Sequence, residues 1–261
     1  QLAADGVREL ILVAQDTSYY GVDLGGRPQL AQLLSRLDQV AGLEWIRLMY
    51  LYPAYLTEEL VEVLTSSRKI LRYLDLPLQH INDTILRRMK RQVTRAETER
   101  LLDRLREQIP GVALRTTLIT GFPGETEAEF DELLDFVRRR RFERLGVFAY
   151  SREPDTPAAR LPDHVSPEVA SERRDRLLAV QQEIASEWSQ SQVGRTLEIL
   201  LDGCIPGEEN AFVGRSHADA PEVDGAVYVS GESLRPGQFV LAEVVAARDY
   251  DLIAAAVGKP H

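Results

Sequence analysis

One cysteine, Cys204, stands in a chain of 261 residues. A single thiol excludes an intramolecular disulfide framework and any all-cysteine metal site built within these residues. No apolar run approaches the ~20 residues of a membrane span. No secretory leader is visible either, so a cytoplasmic location with no membrane partner is the default expectation. Positive charge is also short: the formal net charge is −10. Such a chain is a poor general nucleic-acid binder and better suits a basic partner. There is no Walker loop, no HExxH and no Ser-His-Asp order. What is present is an ordinary globular composition, 44% hydrophobic and 28% charged. The length suffices for one large core and a small second domain.

Strands and helices alternate through the first half. ELILVAQD (Glu9 to Asp16), EWIRLMYLYP (Glu44 to Pro53), ILRYLDLPLQ, VALRTTLIT and RLGVFAYS read as five strands. Helices are expected between them: Pro28 to Val40, one capped by Thr57, Asp83 to Lys90, Thr94 to Gln108, and one opening at Thr126. Thr94 with Glu97, and Thr126 with Glu129, are capping boxes. Units of roughly 30–40 residues predict a parallel sheet with helices outside. The first residues read as the end of a helix, so a sixth strand is expected upstream. Ser166 followed by Pro167 opens a long helix to about residue 192. From Val193 the pattern changes to five short alternating strands separated by Gly, Pro and Asp turns. That predicts a small antiparallel β-barrel. The domains are therefore placed at 1–192 and 193–261.

Polar residues gather at the expected carboxyl ends of the strands, where α/β folds hold ligands. They are Gln15 and Asp16, Tyr50 and Tyr52, Gln79 and His80, Arg115 and Thr117, and Tyr150 and Ser151. Each has a plainer reading. Gln15-Asp16 could equally cap the next turn, and Gln79 could be a loop residue. His80 reads first as a structural hydrogen-bonder. Arg115 is as well suited to an ion pair with a neighbouring carboxylate as to a cofactor carboxylate. The Arg138–Arg141 run reads as a solvated helix end, and Cys204, beside a Gly-Pro turn, is not placed as a nucleophile. The segment LRTTLITGFPGET, Leu114 to Thr126, ends a strand in a Gly-Phe-Pro-Gly turn, which would present the backbone of Gly121 and Gly124 to a ligand.

Taken together, AQDTSYYG, RLMYLYP, DLPLQH with INDTILRRMKR, LRTTLITGFPGET and GRSHADAPEVDGAVYVSG resemble the methylthiotransferases of the radical-SAM superfamily. They look most like the RimO type. The resemblance spans essentially the whole chain. It implies an open, partial TIM-like β/α barrel followed by a TRAM domain, the small β-barrel above. It also implies S-adenosylmethionine and two [4Fe–4S] clusters as cofactors, and an electron donor as partner. LPLQH is the discriminating segment, since the class that modifies transfer RNA typically reads more like LPVQSG. The target so implied is an aspartate of ribosomal protein S-twelve, methylthiolated on its β-carbon, free or on the small ribosomal subunit. Charge agrees: residues 193–257 hold four Arg, no Lys and eleven Asp plus Glu, a net of −7. An acidic domain suits a basic protein better than RNA. A transfer-RNA methylthiotransferase and a non-catalytic binding fragment are the other readings.

The departures from the family pattern are specific. The cluster-binding CxxxCxxC motif is absent, as is the N-terminal domain with its own three cysteines; both are expected upstream of Gln1. Gln15-Asp16 replaces the superfamily's Gly-Gly-Glu. The GxIxGxxE motif fits at Thr117, Ile119 and Gly121, with Glu125 one residue late. The resemblance implies a 5′-deoxyadenosyl radical that takes hydrogen from the substrate carbon. Sulfur then comes from the second cluster, and the methyl group from a second S-adenosylmethionine. On this chain it places Gln15, Gln79, Arg115 and Thr117 near the methionine or ribose end. Gly121 and Gly124 fall beside the adenosine, and His80 and Tyr52 at the substrate opening. No metal ligand and no acid–base catalyst is assigned.

Overall fold

A computed structural model describes residues 1–258 and 260. The expected barrel domain runs to residue 261, and Lys259 and His261 lie outside the described residues. Five strands form one parallel sheet in sequential order: β1 (Glu9–Leu12), β2 (Trp45–Leu48), β3 (Ile70–Asp75), β4 (Ala113–Thr120) and β5 (Arg144–Ala149). Between and after them lie α1 (Val22–Gly25), α2 (Leu30–Asp38), α3 (Glu58–Ser66), α4 (Asp83–Arg88), α5 (Arg95–Gln108), α6 (Glu127–Arg140) and α7 (Pro167–Ser191). Both capping boxes form as read, with Thr94 accepting from Glu97 N and Thr126 from Glu129 N. Ser166 caps α7 by accepting from Val169 N.

Strand periodicity splits the sheet into two faces. Leu114 and Leu118 of β4 pack on Leu102 and Leu105 of α5 and on Phe130 and Leu133 of α6, within one continuous buried core. The opposite, concave face carries charge. Glu9 of β1, Arg47 of β2, Asp75 of β3, Arg115 of β4 and Arg144 of β5 all point into it. Register sets Arg115 beside Asp75 on one side and Arg144 on the other. Helix α7 packs Leu177 and Ile184 into the main core, beyond β5.

The remaining strands, β6 (Thr196–Cys204), β7 (Ala211–Arg215), β8 (Val227–Ser230), β9 (Phe239–Arg248) and β10 (Asp251–Ala256), close a barrel in the order β10-β8-β7-β6-β9. The pairings are antiparallel as expected, except that the closing pair, β8 with β10, is parallel. Alternating residues such as Val227 and Val229, or Val240, Ala242 and Val244, fill its core.

The barrel is not a separate bead. Its loop between β7 and β8 enters the concave face of the sheet. Arg47 donates to the carbonyls of His217 (2.9 Å) and Ser216 (3.3 Å). Arg144 pairs with Asp219. The Tyr73 hydroxyl donates to Asp224 Oδ2 at 2.7 Å. Ala218 and Ala220 pack there with Trp45, Met49 and Tyr73.

Candidate functional site

Above this plug, at the carboxyl ends of the strands, the concave face opens as a cleft of about 710 Å³. Five of the eight expected site residues line it: Gln15, Tyr52, Gln79, Arg115 and Thr117. Asp16, Tyr50, Tyr19, Tyr55, Arg91 and Phe148 complete the wall. The convergence follows from the parallel topology, which delivers every strand tip to one rim.

The tips of β1 and β2 are stitched together. The Thr17 hydroxyl donates to the Met49 carbonyl at 2.6 Å. The Ser18 hydroxyl donates to Asp16 at 2.5 Å and accepts from Tyr52 N at 2.9 Å. Tyr52 then anchors the far rim. Its hydroxyl accepts from Gln92 N at 2.8 Å, and the Arg91 guanidinium lies 4.7 Å from its ring centroid. Arg91 also donates to the Pro77 carbonyl. Burial holds its pKa below the ordinary arginine value, against the opposing influence of Tyr52 and Asp16.

Gln79 is held tightly in the cleft wall. Its φ is +70°, in the left-handed region that non-glycine residues rarely occupy. The backbone is held there from both sides: Gln79 N donates to Thr117 O at 2.9 Å, and Ile119 N donates to Gln79 O at 2.8 Å. Its side-chain Oε1 is buried with no hydrogen-bond partner in the chain. A buried acceptor costs roughly 1–3 kcal/mol when unmet. A left-handed backbone and an unmet acceptor on the cleft wall make Gln79 a candidate ligand contact.

Arg115 resolves toward the ion-pair reading. Its Nη1 donates to Asp75 Oδ1 at 2.7 Å and to Thr117 Oγ1 at 3.3 Å, and its Nε lies 3.7 Å from Asp224 Oδ1. Burial works against its charge, and Asp75, Tyr73 and Asp224 outweigh it, so its pKa sits above the ordinary arginine value. Two carboxylates already neutralise this guanidinium. It is a fixed donor suited to hydroxyl or ring-nitrogen acceptors, rather than a free countercharge for a carboxylate.

Three expected residues are elsewhere. His80 does not reach the opening: it is 1% exposed. Its Nδ1 accepts from Asn82 N at 3.0 Å, and Nε2 lies 3.3 Å from Glu125 Oε2. Glu125 in turn accepts from Arg173 of α7 at 2.8 Å. His80 is therefore buried against the β4 turn, its Nε2 near Glu125 Oε2 with neither atom making a hydrogen bond among the described residues. Gly121 and Gly124 do not line the cleft either. Gly121 N donates to Glu125 Oε1 (3.0 Å) and Gly124 N to the Asp163 carbonyl (2.7 Å). A Cβ on Gly121 would stand 2.2 Å from the Ala170 Cβ, and one on Gly124 1.3 Å from Arg88 Nη1. The absence of a side chain at these glycines admits Ala170 of α7 and the Arg88 guanidinium, and neither glycine is among the residues that line the cleft.

Sequence reasoning passed over Arg91, Tyr19, Tyr55 and Asp224. Arg91 sits in the quoted MKR segment just after α4, and Asp224 in the quoted GRSHADAPEVDGAVYVSG segment, but its pairing with Tyr73, 151 positions away, is not legible from either stretch.

The groups a cofactor would need are partly present. Gln79 Oε1, with Thr117 and Arg115 beside it, suits a ligand rich in hydroxyl and amino donors, as a nucleoside is. An iron–sulfur cluster is not accommodated by these residues. Among the described residues no group of three or more His, Cys, Asp or Glu side chains could hold a metal ion. The one cysteine, Cys204, is exposed on the barrel.

Comparison with known proteins agrees with both halves of the fold. Residues 193–257 match the TRAM domain. The chain is 48% identical over 256 residues to "Ribosomal protein uS12 methylthiotransferase RimO" of Lachnoclostridium phytofermentans, covering 98% of this chain and 58% of that protein. The protein of the same name from Myxococcus xanthus is 48% identical over 260 residues, covering 100% of this chain and 54% of that protein. The chain thus spans little more than half the length of these curated relatives. Among solved structures, coproporphyrinogen III oxidase (HemN) from Escherichia coli, a radical SAM enzyme, superposes with a TM-score of 0.52 at 19% identity. That match covers 91% of this chain and 54% of HemN, and it speaks to the fold alone. Residues 1–137, which build the first four strands and the cleft between their tips, match the radical SAM model, and the chain belongs to the radical SAM superfamily.

Proposed function

We propose that the protein carrying this chain methylthiolates an aspartate of ribosomal protein uS12, using S-adenosylmethionine. The observation that carries the reading is the cleft at the strand tips, with the unmet Gln79 acceptor inside it. Its support from outside is the near-complete coverage of this chain by relatives named for that activity. Gln79, Thr117 and Arg115 would hold the nucleoside part of S-adenosylmethionine, and Gln15 its outer edge. When bound, that cofactor supplies the radical-forming and methyl-donating chemistry of the superfamily. Tyr52, with Tyr55 and Tyr19 edge-on beside it, would form an aromatic rim for the incoming peptide; the Tyr19–Tyr55 and Tyr52–Tyr55 centroids are 5.2 and 5.8 Å apart.

The described residues offer an iron–sulfur cluster no ligand set. The two clusters of the resemblance would need ligands from other parts of the protein. On the same reading the protein works in the cytoplasm with an electron donor; no helix among the described residues is long and apolar enough to cross a membrane.

The acidic barrel fits a basic protein substrate. Glu208, Glu209, Glu222, Glu232, Glu243 and Asp249 are all exposed on it. Complementary charge of this kind raises encounter rates and selects partners.

The test is direct. The full-length protein, loaded with iron and sulfide without oxygen, is given S-adenosylmethionine, a reductant and either uS12, small ribosomal subunits or transfer RNA. Mass spectrometry then looks for one methylthio group in place of a hydrogen. Modification of an aspartate in uS12 is expected. Modification of transfer RNA alone would move the protein to the other class of the family, and no modification of any would refute the reading.

A further inference from the structure

We propose that Asp224, a residue of the small barrel, is a positioning residue for the cleft: it holds Arg115 in place on the cleft floor. The proposal rests on the reading of the cleft as the S-adenosylmethionine site and adds a part of the machinery that lies outside the radical SAM domain.

The sheet alone cannot balance its own concave face. Its buried charges there are Arg47, Arg115 and Arg144 against Glu9 and Asp75. Register makes the imbalance local, because Arg115 and Arg144 are direct partners on neighbouring strands and share one face. Like charges so placed repel. The barrel brings Asp219, Asp224 and Arg215 into the same region, with Asp202 at its edge holding Arg215 at 2.8 and 2.9 Å, giving four cations and five carboxylates. Asp219 takes Arg144. Arg215 joins Glu9 at 2.6 Å. Asp224 approaches Arg115, its carboxylate oriented by the Tyr73 hydroxyl (2.7 Å) and by Ala220 N (2.9 Å).

Arg115 donates through Nη1 to Asp75 (2.7 Å) and Thr117 (3.3 Å), and its Nε forms a looser ion pair with Asp224 at 3.7 Å. Attraction at a second nitrogen restrains the plane of a guanidinium more than contacts at one nitrogen alone. The third nitrogen, Nη2, is directed past Gly146, where a Cβ would stand only 3.8 Å away. An arginine side chain otherwise loses rotamer entropy on being fixed. Meeting that cost in the folded protein, before the ligand arrives, is what preorganises a site. Asp224 touches neither the cleft cavity nor any ligand-facing atom named above, so its effect runs through Arg115.

The experiment uses the full-length protein. The dissociation constant of S-adenosylhomocysteine is measured by calorimetry, which needs no turnover, together with KM for S-adenosylmethionine, kcat and the melting temperature. The variants are Asp224→Asn, Arg115→Gln, the double variant, and Tyr73→Phe. Asp224→Asn keeps an acceptor for Tyr73 and removes the charge. It should weaken S-adenosylhomocysteine by about tenfold, the loss expected for one charge-assisted contact. KM should rise in step. Arg115→Gln should do the same, and the double variant should be no weaker than Arg115→Gln alone. Tyr73→Phe should give a smaller loss of the same kind. Affinity within about twofold of wild type in Asp224→Asn, whatever its melting temperature, would overturn the proposal, as would fully multiplicative losses in the double variant. A wild-type protein that binds no S-adenosylhomocysteine would instead overturn the cofactor reading, and this proposal with it.

Discussion

The buried pair between Arg144 and Asp219 is the sharpest place to test the joint between the two domains. Their side chains are 3% and 2% exposed. Arg144 has few other partners: its Nη1 donates to the Glu143 carbonyl at 3.0 Å, and its guanidinium lies 4.5 Å from the Trp188 ring centroid. Asp219→Ala would leave that cation buried and uncompensated. It would also strip the Ser216 hydroxyl and amide of their acceptor, at 2.5 and 3.2 Å. Removing one partner of a buried pair costs about 3–5 kcal/mol. For a protein near this size each kcal/mol moves the melting temperature by roughly 2–4 °C, so a fall of about 6–20 °C is expected. Urea unfolding monitored by fluorescence and by circular dichroism reads the free energy. Replacing both members, Arg144→Met with Asp219→Leu, should cost less than Asp219→Ala alone, because no orphan charge remains. A loss below about 1 kcal/mol in Asp219→Ala would refute the claim that the barrel neutralises the sheet.

Two further outcomes follow from the same joint and from the glycine turn. Burial lowers the pKa of His217 below its ordinary 6.5, with Asp219 and the Gly111 backbone opposing and Arg47 and Arg72 reinforcing. The folded state therefore takes up a proton less readily than the unfolded chain, so stability falls as pH drops below 6.5, by at most about 1.4 kcal/mol per pH unit. Unfolding curves for wild type minus His217→Gln should show that slope toward acid, and a flat difference would contradict it. Gly121→Ala adds the cost of a left-handed alanine to a clash at 2.2 Å with the Ala170 Cβ. Together these should cost about 2–4 kcal/mol. Combined with Ala170→Gly, the loss should be smaller than the sum of the two single losses; additive losses would place the strain elsewhere.

Local chemistry was readable in the sequence. The caps at Thr57, Thr94, Thr126 and Ser166 are decided within one turn, and all four form. Strand ends were read too long where the chain stays apolar after pairing stops. The first was expected to reach Asp16, but β1 ends at Leu12 and Val13 is exposed. The second was expected to reach Pro53, but β2 ends at Leu48, and Tyr50 turns to φ +56°. Hydrophobicity reports burial, and a loop over a core can be as apolar as a strand. The converging strand tips were legible because parallel order alone places Gln15, Tyr52, Gln79, Arg115 and Thr117 together. His80 and the glycine turn lie outside the cleft lining for one reason. A small or polar residue at a strand tip can face a ligand or admit a neighbour, and the deciding neighbour, Arg173 or Ala170 of α7, lies far along the chain.

That distinction bears on how the two domains divide the work. The cleft rim comes from the first domain, from residues just past the strand ends and from the segment after α4 that carries Arg91. Its floor does not come from that domain alone. Arg47, Arg144 and Tyr73 each find their partner more than 70 positions away, on one loop of the barrel. A domain tethered only to recruit a substrate would have no reason to bury two aspartates in its neighbour. Here Glu208, Glu209, Glu222, Glu232, Glu243 and Asp249 are exposed on the barrel, while Asp219 and Asp224 are committed inward. On the proposed reading the same acidic domain would both face a basic protein and contribute to the charge balance beneath the cleft.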